Sequence, residues 1–337
     1  MKVLITGASG FIGRRLALNL ASRGCDVACL VRRTSRTEGL DRPGLRLVMG
    51  DLRDQASLEA AVAGQDRVFH LAAAVQAAQG ASFEEANVEG TRRLVEACLR
   101  VTPGLERFVY VSSIAAAGPS GPDRPGRETD EPHPVTDYGR SKLRAEDIVR
   151  QAGGRLAATI IRPPNVIGPG SKDIERAIVL LGKGIVPAIG DEKPRTSLID
   201  VDDLAEALIL ASGEARSVGQ TYYVTDGGAY AWPEITAALA EELGLGRRKL
   251  RIPASVQLAV AAAAEAASRL TGKPPAVTRD IVRAGRDHYW LYDGSKIERE
   301  LGFRPRFKMR DSIRRAVLES RARKGRAASG DERGLDD

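Results

Sequence analysis

Aromatic residues make up only 4% of the 337-residue chain, which also has just three cysteines and three histidines. Cys25, Cys29 and Cys98 are an odd, scattered set with too few histidines beside them to complete a metal site, so no metal is expected and the thiols read as small core residues. The shortage of aromatics also removes the stacking stripe that single-stranded nucleic acid requires. A net charge of +7 is therefore not read as a nucleic-acid footprint, because the basic residues are spread out among 44 carboxylates. One dense cluster, Arg321 to Arg326, lies in the polar stretch Glu319–Asp337 and reads as a disordered terminus. No apolar run approaches the ~18 residues of a membrane span. Met1-Lys2-Val3 enters a strand at once, which leaves no room for a signal peptide, and a cytoplasmic protein is expected.

What is present begins with Val3-Leu4-Ile5-Thr6-Gly7-Ala8-Ser9-Gly10-Phe11-Ile12-Gly13, an apolar strand running into a glycine turn. Apolar residues at helical spacing follow in Leu16, Ala17 and Leu20. Glycines allow close backbone approach, and a helix N-terminus offers unpaired N–H groups and the positive end of its dipole, so a pyrophosphate would suit the turn. The spacing Gly7, Gly10, Gly13 departs from the G-x-G-x-x-G fingerprint, so the turn alone leaves a purely structural reading open.

The same alternation continues along the chain. Strands are expected at Asp26–Val31, Leu45–Gly50, Arg67–Leu71, Arg107–Val111, Leu156–Ile161 and Tyr222–Thr225. Helices are expected at Ser57–Ala63, begun by a capping serine, at Phe83–Leu99 and at Tyr138–Val149. Strand and helix in alternation predict an α/β protein with a doubly wound parallel Rossmann sheet, whose ligands lie at the carboxyl ends of the strands. Gly10, Arg32, Asp51, Ala72 and Ser113 all follow strand ends. No acid closes the second strand; Arg32, helped by Arg33 or Arg14, suits a 2′-phosphate and favours NADP over NAD. Asp51 reads either as an acceptor for an adenine amino group or as a turn or cap aspartate. His70 reads as structural.

Gly118–Val135 is rich in glycine, proline and charge and is expected to be a loop beside the site. Tyr138 and Lys142 are four apart on one helical face. A tyrosine is a poor acid or base near neutrality, and a nearby ammonium favours its phenolate.

In this order the segments Thr6–Gly13, Gly50-Asp51-Leu52, His70-Leu-Ala-Ala73, Asn87-Val-Glu-Gly-Thr91, Val111-Ser-Ser113, Tyr138-Gly-Arg-Ser-Lys142 and Arg162-Pro-Pro-Asn-Val-Ile-Gly-Pro-Gly170 resemble the extended branch of the short-chain dehydrogenase/reductase superfamily, the NAD-dependent epimerase/dehydratase family, along nearly the whole chain. The resemblance implies a triad of Ser113, Tyr138 and Lys142, with Ser112 as second candidate for the serine. Tyrosine would exchange the substrate proton, serine would hold the substrate oxygen, and lysine would bond the nicotinamide ribose. It implies cofactor contacts from Gly7, Ser9, Gly10, Phe11, Ile12, Gly13, Arg32, Asp51, Leu52, Leu71, Ala72, Ala73, Pro163 and Val166, and substrate contacts from Asn165 and Arg195. The expected cofactor is NADP, with NAD the alternative.

A Rossmann domain is expected over 1–163 and 197–226, a smaller substrate domain over 164–196 and 227–320, and a disordered tail over 321–337. The alanine-rich helix Ala254–Leu270 is apolar nearly all round, so it is expected to be buried or to line a site for a hydrophobic substrate. Two reactions compete. Arg32, this helix and the run Thr278–Arg283 into His288–Lys296 resemble 3β-hydroxysteroid dehydrogenases and dihydroflavonol reductases, which act on alicyclic or steroid- and flavonol-like alcohols and ketones. Asn165 and Arg195 point instead to a nucleotide-sugar epimerase. Dehydration is not expected, because Ile114 and Ala115, rather than acids, follow Ser113. The resemblance also implies a homodimer through the helices Phe83–Leu99 and Tyr138–Val149, with a small-molecule substrate as the other partner.

Overall fold

Five of the seven main strands are apolar on both faces, and only a sheet covered on both sides can bury such strands. The computed structural model describes residues 1–76, 83–183, 194–245, 254–271, 275 and 278–329. In chain order the strands are β1 (Lys2–Thr6), β2 (Asp26–Val31), β3 (Leu45–Met49), β4 (Arg67–His70), β5 (Arg107–Val111), β6 (Ala158–Arg162), β7 (Asn165–Ile167), β8 (Arg195–Thr196), β9 (Leu198–Asp200), β10 (Thr221–Tyr223) and β11 (Tyr230–Ala231). The helices are α1 (Phe11–Ser22), α2 (Gln55–Val62), α3 (Gly90–Val101), α4 (Ile114–Ala117), α5 (Asp137–Gln151), α6 (Lys172–Gly182), α7 (Val201–Gly213), α8 (Trp232–Glu242), α9 (Ala254–Thr271), α10 (Arg279–Asp287), α11 (Ser295–Leu301) and α12 (Met309–Ser329).

The main sheet is parallel, in the order β10-β6-β5-β4-β1-β2-β3. The chain reverses direction of winding between β1 and β4, so a crevice opens there above the strand ends. One core, with Leu16, Leu20, Phe69, Leu204 and Leu208, covers one face, and a second, with Leu58, Leu94, Phe108 and Val149, covers the other. Cys25, Cys29 and Cys98 are buried in these layers as free thiols. A third core joins α6, α8 and α12 through Ile174, Leu239 and Ile313, and forms the smaller lobe. The small parallel pair β7 and β9 lies where the chain leaves the sheet and returns to it.

The structure corrects several boundaries. Asp54, not Ser57, caps α2: its carboxylate accepts from the N–H groups of Ala56 and Ser57, while the Ser57 hydroxyl bonds back to the Asp54 carbonyl. The helix expected over Phe83–Leu99 is divided into a π-helical stretch, Glu84–Glu89, and α3. Ile297, Leu301 and Phe303, assigned above to the substrate domain, pack into the core of the main sheet. α12 continues to Ser329, through the first part of the stretch expected to be disordered, and residues 330–337 lie outside the described residues. α9 buries Ala261 but leaves Val256 and Val260 at 46% and 56% exposure, so it is not buried all round.

Asp203 of α7 ties the segment before α12 to the sheet layer. It has no exposure, and its carboxylate accepts from the backbone N–H groups of Arg306 and Phe307 and from Nε of Arg306 at 2.8–2.9 Å. Asp203→Ala leaves two N–H groups without an acceptor and should lower the unfolding free energy by about 2–3 kcal/mol, read as an earlier midpoint in urea denaturation.

Candidate active site

The turn after β1 explains its glycines individually. Gly7 has φ +75°, and a Cβ there would lie 2.7 Å from the Ala72 nitrogen; a Cβ on Gly13 would lie 2.2 Å from the Gly7 carbonyl oxygen. These two glycines let α1 and the exit of β4 pack against the turn. Gly10 differs, since it is exposed and serves as the N-cap of α1. No side chain caps α1 and no acid stands in its first turn, so its leading N–H groups and dipole face the crevice uncompensated. That arrangement fits a dinucleotide pyrophosphate held by Gly7, Ser9, Gly10, Phe11, Ile12 and Gly13. Leu71, Ala72 and Ala73 line the β4 side: the N–H of Leu71 donates to the Thr6 carbonyl and that of Ala72 to the Thr6 hydroxyl.

A buried hydrogen-bonded chain supports this turn. Thr91 gives its hydroxyl proton to the Asn87 carbonyl, so it accepts from Nε2–H of His70 at 3.0 Å; Nδ1 of the neutral ring is then an acceptor and takes the Thr6 hydroxyl proton at 2.7 Å, while the Thr6 oxygen accepts from the Ala72 N–H. Burial, with the Lys142 charge adding to it, lowers the His70 pKa to about 3, so the ring is a neutral structural element. Asn87, in the π-helical turn, holds both backbone groups of Ala74 and donates to the Ser141 hydroxyl, which joins the β4 exit to α5. Sequence reasoning assigned no role to Asn87; the π-helical turn, often found at functional sites, became visible only in the fold.

At the end of β2, Arg32 is exposed, and its backbone N–H donates to the Ser35 hydroxyl. Asp51 is engaged by Arg53, which donates to it from its backbone N–H, Nε and Nη2; this pairing holds the carboxyl down at about 2. Arg32 lies near enough to add to that shift. Leu52 packs on Gly90, Pro163 is buried with its carbonyl accepting from Ile114, and Val166 packs against the main core.

Ser113 caps α4 and lines a cavity of about 930 Å³ with Tyr138, Ser141, Pro164 and Asn165. Ser112 is buried and does not line this cavity, which separates the two candidate serines. Burial pushes the Tyr138 phenol up to about 12, and the Ser113 hydroxyl bonded to it partly offsets this. Lys142 is 2% exposed; its ammonium donates to the Val111 carbonyl at 2.7 Å and lies 4.3 Å over the Tyr110 ring. Burial lowers its pKa to about 7. Lys142 is thus turned toward β5, and burial of Tyr138 favours its protonated phenol.

Both tryptophans, Trp232 and Trp290, line the same cavity with Val75, Phe83 and Ile114. Nothing in their local sequence pointed to this role, because they converge from distant segments. α9 reaches the cavity through Glu265 and Ser268, and α10 through Asp280 and Gly285. Asn165 lines it too and donates to the Thr196 hydroxyl. Arg195 does not line it. Successive residues of a strand point to opposite faces; Thr196 faces the cavity, while the Arg195 guanidinium bonds to the Ala229 carbonyl and to Glu234.

A parallel sheet with a glycine turn at its switch point, and a Ser, Tyr and Lys set beside the crevice, define a dinucleotide-dependent enzyme of the oxidoreductase and epimerase type. The chain belongs to the NAD dependent epimerase/dehydratase family, whose model matches residues 3–224, and so to the short-chain dehydrogenases/reductases. It is 30% identical over 338 residues to short-chain dehydrogenase/reductase family 42E member 1 of Xenopus laevis, covering 92% of this chain and 86% of that one. It is 29% identical over 315 residues to 4-hydroxy-2-methyl-3-oxo-4-farnesyl-3,4-dihydroquinoline-1-oxide ketoreductase of Stigmatella aurantiaca, covering 90% and 92%. Among solved structures it is similar to DesIV, the dTDP-glucose 4,6-dehydratase of Streptomyces venezuelae with NAD and TYD bound, at TM-score 0.80 and 26% identity over 96% of this chain and 98% of the other. Among the described residues no helix is long and apolar enough to cross a membrane.

His70 gives a pH test of this site's packing. Its folded-state pKa of about 3 lies below the unfolded value of about 6.5, so between those limits the unfolded chain binds a proton that the folded one does not. Stability should therefore fall as pH drops below 6.5, with His70 contributing up to about 1.4 kcal/mol per pH unit. In urea unfolding at pH 7 and pH 5, His70→Asn should flatten this slope; equal slopes in both proteins would count against the assignment.

Proposed function

We propose that this enzyme is an NADP-dependent oxidoreductase that interconverts a secondary alcohol and a ketone on a lipophilic, alicyclic or steroid- or flavonol-like substrate. The observation that carries this reading is the composition of the cavity beside Tyr138. It is walled by Trp232, Trp290, Phe83, Ile114 and Val75, and among the described residues the two cations that line it are already paired, Arg140 with Asp137 and Arg144 with Glu84. An aromatic wall whose described cations are already paired suits an apolar body far better than a diphosphate. The likeness to a ketoreductase named for a farnesylated quinoline substrate supports the same class.

The nicotinamide supplies the hydride at C4 when bound. Lys142 and the turn from Gly7 to Gly13 hold the cofactor, and Arg32 meets its 2′-phosphate as an exposed cation at the end of β2. Ser113 holds the substrate oxygen, and Tyr138 exchanges the proton on it. A protonated phenol donates to a ketone oxygen, and the phenolate it leaves takes the proton back from the alcohol in the reverse direction. Asn165 contacts the substrate; Arg195, occupied by Glu234, is left out of this assignment. The reading includes a homodimer across the outer faces of α3 and α5, tested by sedimentation.

A nucleotide-sugar 4-epimerase is the second reading, favoured by the likeness to a dTDP-glucose dehydratase. The cofactor separates the two. The protein should purify without nucleotide and be stabilised more by NADPH than by NADH in thermal shift, and Arg32→Ala should erase the difference. Tightly held NAD released on denaturation would favour the epimerase. Tyr138→Phe should lower turnover of lipophilic ketones by roughly 10²–10⁴ while the NADPH thermal shift stays the same; unchanged turnover removes Tyr138 from its role.

A further inference from the structure

One turn beyond Lys142 on α5 stands Glu146, which has no solvent exposure. Its carboxylate accepts from Nε and Nη2 of Arg162 on β6 at 2.8 and 2.6 Å, and from Arg150 at 2.6 Å. The Arg162 side chain is itself 2% exposed, and its remaining Nη1 donates to the Tyr223 hydroxyl on β10 at 2.9 Å. Cofactor and substrate contacts are assigned elsewhere, so this fully buried pair is unused by the chemistry proposed above.

We propose that Glu146 is a positioning residue for Lys142: clamped by Arg162 and Arg150 one helical turn away, its carboxylate supplies the negative charge that opposes loss of the proton from the lysine seated on the Val111 carbonyl. The inference rests on the reading of Lys142 as a working residue of the site. The groups facing Lys142 are His70 of β4, Tyr110 of β5, and Tyr138 and Glu146 on its own helix. His70 is neutral and Tyr110 is held protonated by burial, which leaves Glu146 as the counter-charge that opposes the desolvation of the lysine. Facing Glu146 are Arg162, Arg150, Tyr110 and Tyr223. Burial works against its carboxylate, but the hydrogen bonds and charge of Arg162 overcome this and keep it ionised. The charge on a catalytic-helix lysine is thereby set from β6, on the far side of the pair.

The test is a ¹³Cε-lysine NMR titration of the full chain without cofactor, with the Lys142 signal assigned from Lys142→Arg. The wild-type midpoint should lie near 7, and Glu146→Gln should move it down by about one pH unit, since a nearby opposite charge shifts a pKa by ~1 unit or more. Glu146→Gln leaves the buried Arg162 without its counter-ion; if that variant does not fold, Glu146→Gln/Arg162→Met removes both charges and should move the midpoint in the same direction. An unchanged Lys142 midpoint in the folded variant overturns the inference. NADPH affinity measured at pH 8 separates the two claims. A lowered midpoint with weakened NADPH binding supports both; a lowered midpoint with unchanged binding supports the Glu146 assignment and overturns the reading of Lys142 as a cofactor ligand.

Discussion

The buried ion pair between Glu146 and Arg162 is the interaction that holds the catalytic helix in register with the sheet. Two charges taken out of water carry a desolvation penalty of several kcal/mol each, and only near-complete hydrogen bonding offsets it. Here three Arg162 nitrogens and both Glu146 oxygens are engaged. The contact extends outward, since the Tyr223 ring lies 4.5 Å from that of Tyr292. The Tyr292 hydroxyl donates to the Gly118 carbonyl at the end of the short helix capped by Ser113. α5, β6, β10, the C-terminal segment and the serine turn therefore share one set of bonds. An apolar pair of the same volume could be as stable, but it would not fix the rotation of α5 about its axis as a bidentate guanidinium does.

Around that anchor, the sheet decides where ligands can go. Because the strands are parallel, every β-to-α turn emerges on the same side, and the reversal between β1 and β4 opens the gap there. The glycine turn, the small residues after β4, Ser113 and the start of α5 all border that gap. Trp232 of α8 and Trp290, from segments far apart in the chain, meet in one wall of the cavity beside Ser113.

The sheet was the legible part of the sequence, because strands buried on both faces read as continuous apolar runs, and each ends in a residue type suited to a ligand. The glycine turn was legible for the same reason; Ser113, Tyr138 and Lys142 came as a set from the family resemblance, and the structure brings Ser113 and Tyr138 to one cavity. Other features depended on choices that local sequence does not make. Asp54 and Ser57 both offer a cap oxygen to α2, and backbone geometry selects Asp54. A π-helical turn needs one extra residue per turn, which leaves no mark on an apolar pattern. Arg195 and Thr196 are neighbours, yet strand alternation gives the cavity to the threonine. Apolar composition showed that α9 has no strongly polar face, but which side is covered is a tertiary matter, and Val256 and Val260 are left outside.

Among the described residues the charged rim of the large cavity includes three couples, Glu84 with Arg144, Asp137 with Arg140, and Glu265 with Arg279, beside Asp280. Arg32, at the opposite end of the crevice, is an exposed cation. Added electrolyte screens an unmatched exposed charge but has little left to screen in a matched couple. Under the proposed assignment, ionic strength acts on the two ligands of this enzyme separately, weakening the hold on the phosphorylated cofactor while leaving that on the neutral substrate nearly constant.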